Sequence, residues 1–288
     1  MNILVTGAKG QVGQELKAIA EQYPDFNFVW SDRHSLDITR QVSVERLFSS
    51  QPFDYCINCA AYTAVDNAEK DVEKARAVNV EGVQYLAAAC HAYSVRLIHL
   101  STDYVYHNDS QNTPFVETDK TSPKGVYAQT KLAGEQKALA APIESIVIRT
   151  SWVYGAYGNN FVKTMLRLGK DRKELTVIFD QIGSPTYAKD LAIAMLDIIQ
   201  KNPTSFKGIY HYSNEGVCSW YDFATAIFEL DNIDCQVLPI ETKDYPTPAK
   251  RPPFSLLNKA KIKADFGLPI PYWRTSLKDC LERLGAEL

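Results

Sequence analysis

The sequence predicts an α/β chain: a doubly wound parallel sheet with a smaller C-terminal α/β lobe. Three observations predict it. Short apolar runs alternate with helical patterns through the first half. The first run ends in a glycine-spaced turn that opens directly into a helical pattern. From about residue 156 the alternation loosens, and a proline-rich stretch, "DYPTPAKRPP", follows at 244–253. Alternating strand and helix signals imply a parallel sheet covered on both faces.

The elements follow in order. "NILVTG" (2–7) is a short apolar strand ending in glycine. Residues 11–23 place Val12, Leu16, Ile19 and Ala20 at helical spacing. "FNFVWSD" (26–32) is a second strand, and 42–50 a helix. "FDYCINCAA" (53–61) is a third strand, 72–93 one long helix, and "VRLIHLST" (95–102) a fourth strand. Residues 127–141 read as a helix and "ESIVIRTSWVYG" (144–155) as a single fifth strand. The strands are nearly continuous in apolar residues, as expected when both faces are buried. Later helices are expected at 160–170, 187–201 and 219–230, separated by short strands. No Gly/Ser linker divides the chain, so its parts should form one compact unit. Neither an internal repeat nor a low-complexity tract is present.

Composition narrows the function classes. The 288 residues are 45% hydrophobic and 23% charged, enough apolar content for a real core. The formal charge of −3 argues against nucleic acid or a membrane surface as partner. The opening strand has no basic segment and long apolar core ahead of it, so no signal peptide is expected. No apolar run approaches the roughly 20 residues a membrane span needs. A cytoplasmic protein is expected. Six cysteines are scattered at 56, 59, 90, 218, 235 and 280. Cys56 and Cys59 lie on a strand end, where residues three apart point to opposite faces, a poor chelating geometry. They are expected to be small buried thiols, and no metal is expected.

The first strand runs into "TGAKGQVG". A tight strand-to-helix turn needs glycine, a pyrophosphate needs an approach free of Cβ atoms, and a helix N-terminus offers free N–H groups. Gly7, Gly10, Gln11, Val12 and Gly13 are therefore the candidates for holding a dinucleotide. The G-x-x-G-x-x-G spacing resembles the short-chain dehydrogenase/reductase superfamily, which implies a Rossmann-type sheet. On this reading residues 1–155 are the dinucleotide-binding domain, joined by some later segments, and 156–288 mainly a substrate lobe. Asp32 ends the second strand, 19 residues past Gly13, where an acid accepts from the adenosine ribose of NAD. Arg33 beside it suits the 2′-phosphate of NADP. The two pull in opposite directions, so use of either NADH or NADPH is expected. Asp37 and Ile38 fall near the adenine, although Asp37 is equally placed to cap the next helix. Asn58 and the small Ala60 and Ala61 end the third strand, where a bulky residue would block a cofactor, and Tyr62 after them is a further cofactor-binding candidate. Asn79 is either a contact to this loop or an ordinary structural amide.

The resemblance to short-chain reductases implies a phenol, an ammonium and a hydroxyl around a reacting carbonyl carbon. "LSTDYVY" ends the fourth strand with Ser101 and Thr102, where open α/β sheets bind ligands. Tyr127 and Lys131 stand one helical turn apart on one face. Tyr127 would give the proton and Thr102 would hold the carbonyl oxygen. A free phenol is a weak acid near neutrality, and a nearby Lys131 ammonium would favour its phenolate. Lys131 would also hold the nicotinamide ribose.

Eight strings then make a closer resemblance. They are "MNILVTGAKGQVGQEL", "NCAAYTAVDNAE", "STDYVY", "SPKGVYAQTKLAGE", "RTSWVYGAYGNNFVKTML", "DQIGSPTYAKDLA", "YHYSNEG" and "YPTPAKRP". Together they resemble the family of dTDP-4-dehydrorhamnose reductases, from residue 1 to about 253. That resemblance implies NAD(P)H-dependent reduction of the C4 ketone of a dTDP-4-dehydro-6-deoxy-L-mannose to dTDP-L-rhamnose, for polysaccharide synthesis. It implies a dTDP-sugar substrate, with Asp103, Tyr104, Trp152 and Asn160 near the sugar and Arg251 toward a diphosphate. By their chemistry alone, Trp152 is also compatible with core packing and Arg251 with the surface.

The chain departs from the pattern after "STDYV", where Tyr106 and His107 replace the usual phenylalanine and small residue. This suggests an altered loop over the substrate, with His107 solvated. Some relatives dimerise around magnesium held by acidic residues. Glu15 is present, but a full acidic set is not seen, so a monomer or a homodimer without metal is expected. Two other readings stand beside this one: another nucleotide-sugar 4-ketoreductase or epimerase, and a non-catalytic dinucleotide-binding regulatory subunit. The presence of both Tyr127 and Lys131 ranks the last reading lowest.

Overall fold

The computed structural model describes residues 1–286. The first half runs β1 (Asn2–Thr6), α1 (Gln11–Ile19), β2 (Asn27–Ser31), α2 (Gln41–Ser50), β3 (Tyr55–Asn58), α3 (Val65–Ala68), α4 (Val72–Arg76), α5 (Gly82–Ala92), β4 (Arg96–Thr102), α6 (Gly125–Ala140), β5 (Ser145–Thr150) and β6 (Val153–Tyr154). The second half runs α7 (Phe161–Asp171), β7 (Glu174–Ile178), β8 (Ile182–Gly183), β9 (Thr186–Tyr187), α8 (Ala188–Lys201), β10 (Gly208–His211), β11 (Cys218–Ser219), α9 (Trp220–Leu230), β12 (Gln236–Ile240), α10 (Ala260–Phe266) and α11 (Trp273–Ala286).

Six strands form one parallel sheet in the order β10-β5-β4-β3-β1-β2. Side chains alternate across it, so each strand serves two cores. Ile3 and Val5 of β1 join the core beneath α1 and α8, with Leu16 and Met195. Leu4, between them, joins the opposite core with Val44 of α2 and Leu86 of α5. A third cluster belongs to the second half, where Val162 of α7, Phe223 of α9 and Leu277 of α11 pack together. There β7 and β12 pair in parallel, while β8 and β11 form a short antiparallel ladder. β1 leads to β2 on one side and β3 lies on its other side, so the sheet reverses direction there. Open α/β sheets bind ligands outside the strand ends at such a point.

Three readings change. The single strand expected at 144–155 is broken into β5 and β6, because Trp152 takes a left-handed conformation with φ of 48°. The long helix over 72–93 carries a π-helical turn at Ala77–Glu81. α10 and α11, unread in the sequence, close the second half.

Candidate active site

The glycine loop and the end of β3 meet at close range. Gly7 has φ of 68°, and a Cβ there would lie 2.6 Å from the Ala60 nitrogen. A Cβ on Gly13 would lie 2.5 Å from the Gly7 carbonyl oxygen. Both positions therefore demand glycine, on conformational and steric grounds. The cleft they border consists of two adjoining cavities of about 330 and 630 Å³. Lys9, Gly10, Cys59 and Ala61 line both. The smaller is also walled by Gly7, Asp32, Arg33, Asp37, Ile38, Ala60 and Tyr62. The larger takes Gln11, Val12 and Gly13 from the loop, and Thr102, Asp103, Tyr104, Tyr127, Lys131 and Trp152 from the opposite side. A small-residue cradle at a helix start, opening to a polar end, fits the shape and charge of a dinucleotide.

Asp32 is not free in the smaller cavity. Lys9 lies 2.5 Å from its carboxylate, and the backbone N–H groups of His34 and Ser35 donate to it. Lys9 above all holds Asp32 well below the ordinary carboxylate range. Lys9 went unremarked in the sequence, although its place inside the glycine loop is a signal. Asp37 accepts from the Thr39 N–H at 3.0 Å and from its hydroxyl at 2.7 Å. It does not cap α2, whose N-cap is Arg40.

Asn79 accepts from the Tyr62 N–H at 2.8 Å and donates to the Tyr62 carbonyl at 3.2 Å and the Thr130 hydroxyl at 3.1 Å. It lines neither cavity. This amide clamps the loop behind the cleft, the loop contact the sequence offered, and both ends of its side chain are committed there and not to a direct cofactor contact.

In the larger cavity α6 delivers Tyr127 and Lys131, while the end of β4 delivers Thr102 and Asp103. The first turn of α6 is held by Glu69, which accepts from the Val126 N–H at 2.8 Å. The Thr102 hydroxyl donates to Asp103 at 3.1 Å and accepts from the Tyr104 N–H at 3.2 Å. Burial pushes Asp103 up to about 6, and one of its carboxylate oxygens is buried without a partner. Burial also pushes the Tyr127 phenol up to about 12, opposed by Thr102 and reinforced by Asp103. Lys131 is depressed to about 8 by burial, partly offset by Glu135. Its amine donates to the Leu100 carbonyl at 2.7 Å. The amine is turned onto that carbonyl within the same cavity as the Tyr127 phenol.

Glu135 continues the same face of α6. It is 1% exposed and takes a two-pronged bond from Arg149, with Nη2 at 2.7 Å and Nε at 3.0 Å. It also accepts from Ser101, next to Thr102. Arg149 donates onward to the Tyr106 hydroxyl, which meets His211 at 2.9 Å. Tyr106 is fully buried, so it belongs to the core and not to a loop over the substrate. His107 is not solvated either: its side chain is 9% exposed and sits 3.3 Å from Asp109.

The expected sugar-side residues divide. Tyr104 stands edge-on to Tyr127, with centroids 5.5 Å apart. Trp152 lines the larger cavity and stacks on Trp220. Asn160 is corrected: it caps α7, accepting from the Lys163 N–H at 3.1 Å and donating to Gln11 at 3.0 Å and to the Gly155 carbonyl at 2.8 Å. Its neighbour Asn159 lines the cavity instead. Arg251 is spent on a two-pronged bond to Asp66, at 2.6 and 2.7 Å. It lines a further cavity of about 650 Å³ formed with Phe161, Arg172, Gln181, Trp220 and Tyr245. Tyr104 lines both that cavity and the catalytic one.

Glu15 does not suit a metal. It is fully buried and paired with Arg283 at 2.9 Å, so its charge is already met inside the chain. Among the described residues no group of three or more His, Cys, Asp or Glu could hold an ion. All six cysteines are free; Cys59 borders the cleft and the other five are buried.

A parallel sheet, a glycine loop at its reversal and a Thr–Tyr–Lys set beyond the strand ends define an oxidoreductase of the short-chain reductase class. The family model described as RmlD substrate binding domain matches residues 1–286, and the chain belongs to that family. It is 43% identical to the dTDP-4-dehydrorhamnose reductase of Aggregatibacter actinomycetemcomitans, covering 96% of this chain and 97% of that one. Among solved structures, a dTDP-4-dehydrorhamnose reductase of Clostridium acetobutylicum superposes with a TM-score of 0.94 at 39% identity, covering 99% and 100% of the two chains. The Bacillus anthracis enzyme of the same name, in complex with NADP, gives 0.92 at 38% identity, covering 98% and 99%.

Proposed function

We propose that this chain reduces the C4 ketone of dTDP-4-dehydro-6-deoxy-L-mannose to dTDP-L-rhamnose, using NADPH or NADH. The observation that carries the reading is the meeting of Thr102, Tyr127 and Lys131 in one cavity continuous with the glycine-loop cleft. The relatives' shared activity supplies the substrate. A bound reduced nicotinamide dinucleotide would supply the hydride. The glycine loop would hold its pyrophosphate, Asp32, Lys9 and Arg33 its adenosine end, and Lys131 its nicotinamide ribose.

The protein's own part is proton and charge. Tyr127 delivers its hydroxyl proton to the carbonyl oxygen as the ketone becomes an alcohol. Thr102 donates a hydrogen bond to the same oxygen as negative charge builds there. A phenol pushed up to about 12 is a weak donor, so the positive charge of Lys131 within the buried site matters to the step. The aromatic and cationic lining of the 650 Å³ cavity suits a nucleoside diphosphate, with Tyr104 at the passage to the reacting sugar.

We assign residues 1–155 to dinucleotide binding and 156–288 mainly to the substrate. We place the protein in the cytoplasm, as a monomer or homodimer without a nucleic-acid partner, in keeping with its charge of −3. No helix among the described residues is long and apolar enough to cross a membrane.

The test is absorbance at the reduced-nicotinamide band, with the 4-keto-L-sugar nucleotide generated in situ. Oxidation of added cofactor that requires the 5-epimerised sugar supports the reading. No oxidation with NADPH or NADH refutes it. Purification with tightly bound NAD and turnover without added cofactor would point to an epimerase.

A further inference from the structure

Two cavities meet at a pair of stacked indoles. Trp152 lines the catalytic cavity and Trp220 the 650 Å³ cavity beside it. Their ring centroids lie 3.6 Å apart with planes 11° from parallel. Phe161 flanks Trp220 on the nucleotide side, at 4.7 Å and 52°.

The chain goes to some length to hold this pair. Trp152 has φ of 48°, a strained conformation for a bulky residue. Gly183 lies under its ring, and a Cβ there would approach the indole to 2.9 Å. Trp220 is the first residue of α9, and its backbone is fixed by the capping box of Ser219 and Asp222. Gly183 and Ser219 sit in the same two-stranded ladder. One short ladder thus sets the floor under Trp152 and the root of Trp220. Strained residues that persist in a native fold cluster at functional sites.

We propose that Trp220 is a positioning residue that acts through Trp152, and that the stacked pair is the shared wall through which nucleotide binding seats the sugar. This rests on the nucleotide-sugar reading given above. It also gives Trp220 a role in substrate affinity and none in cofactor binding, since Trp220 lines neither cavity of the dinucleotide cleft.

Trp220→Leu and Trp220→Phe test it. Losing a partly buried aromatic stack in Trp220→Leu should raise KM for the nucleotide sugar about tenfold, while KM for NADPH stays within about twofold. Trp220→Phe keeps a ring against Trp152 and should restore most of the affinity. Coupled indoles give an exciton couplet in far-ultraviolet circular dichroism. Thymidine diphosphate should change that couplet in the wild type, and Trp220→Leu should abolish it. If Trp220→Leu does not fold, Gly183→Ala must give the same split by pushing Trp152 from below. An unchanged sugar KM, an equal rise in both KM values, or a wild-type couplet unmoved by thymidine diphosphate would each overturn the proposal. An inactive wild type would sink the substrate reading alone, and the couplet would still decide this one.

Discussion

Glu135→Gln is the sharpest perturbation the site offers. The change removes one charge and almost no volume. In the folded protein Arg149 is 2% exposed and Glu135 1%, so the remaining guanidinium cannot be rescued by solvent. Breaking a buried pair by neutralising one partner costs about 3–5 kcal/mol, because the other charge stays buried. Glutamine retains one acceptor for Arg149, so the low end, about 3 kcal/mol, is expected. For a chain of this size that is a fall in Tm of about 5 °C. Thermal melts of the wild type, Glu135→Gln and the double variant Glu135→Leu/Arg149→Met would measure it. The double variant removes both charges and should recover much of the loss. A second readout ties the pair to catalysis. Glu135 opposes the burial that depresses Lys131 to about 8. Without it Lys131 falls further, so the ammonium is lost at lower pH and the alkaline limb of the rate profile moves down. A Gln variant melting within about 1 °C of the wild type, with an unmoved alkaline limb, would refute the reasoning.

Three further outcomes are expected. Tyr127→Phe should cut turnover by about 10²–10⁴-fold with cofactor binding nearly intact, as fluorescence titration with NADPH would register. Asp103 is held at about 6, so it ionises as pH rises through that value and makes Tyr127 a poorer proton donor. The reductive rate should fall across that limb, and Asp103→Asn should flatten it in a pH–kcat series. Lys9→Ala should lower kcat/KM for NADPH about tenfold more than for NADH, since it removes a cation beside Asp32 where a 2′-phosphate would lie; equal losses would remove Lys9 from cofactor choice.

The main sheet was legible because its strands are unbroken apolar runs with helical patterns between them. The glycine loop was legible because a tight turn, a close approach and a helix start all demand the same residue. What stayed hidden depended on contacts remote in sequence. Asn160 resembled a sugar ligand, yet it stands directly before an amphipathic run, which is where a helix cap belongs. Arg251 and Asp66 meet across most of the chain, and no local pattern announces that bond. Trp152 was read inside a strand because β-branched and aromatic residues run from Ile146 to Tyr154 around it; only the packing of Gly183 and Trp220 holds its turn. Glu135 carried a usable signal, since it repeats the four-residue step of Tyr127 and Lys131 on one face.

The sheet order has a consequence for synthesis. β5 is completed by β10, which arrives only after the whole of α7 through α8 has been made. β5 is buried along its full length in the finished protein. While the intervening segment leaves the ribosome, at roughly 5–20 residues per second, that apolar edge stands unpaired for several seconds. An open edge of this kind is a template for pairing with another chain. A nascent chain halted between residues 150 and 208 would therefore be the form of this protein most in need of a chaperone.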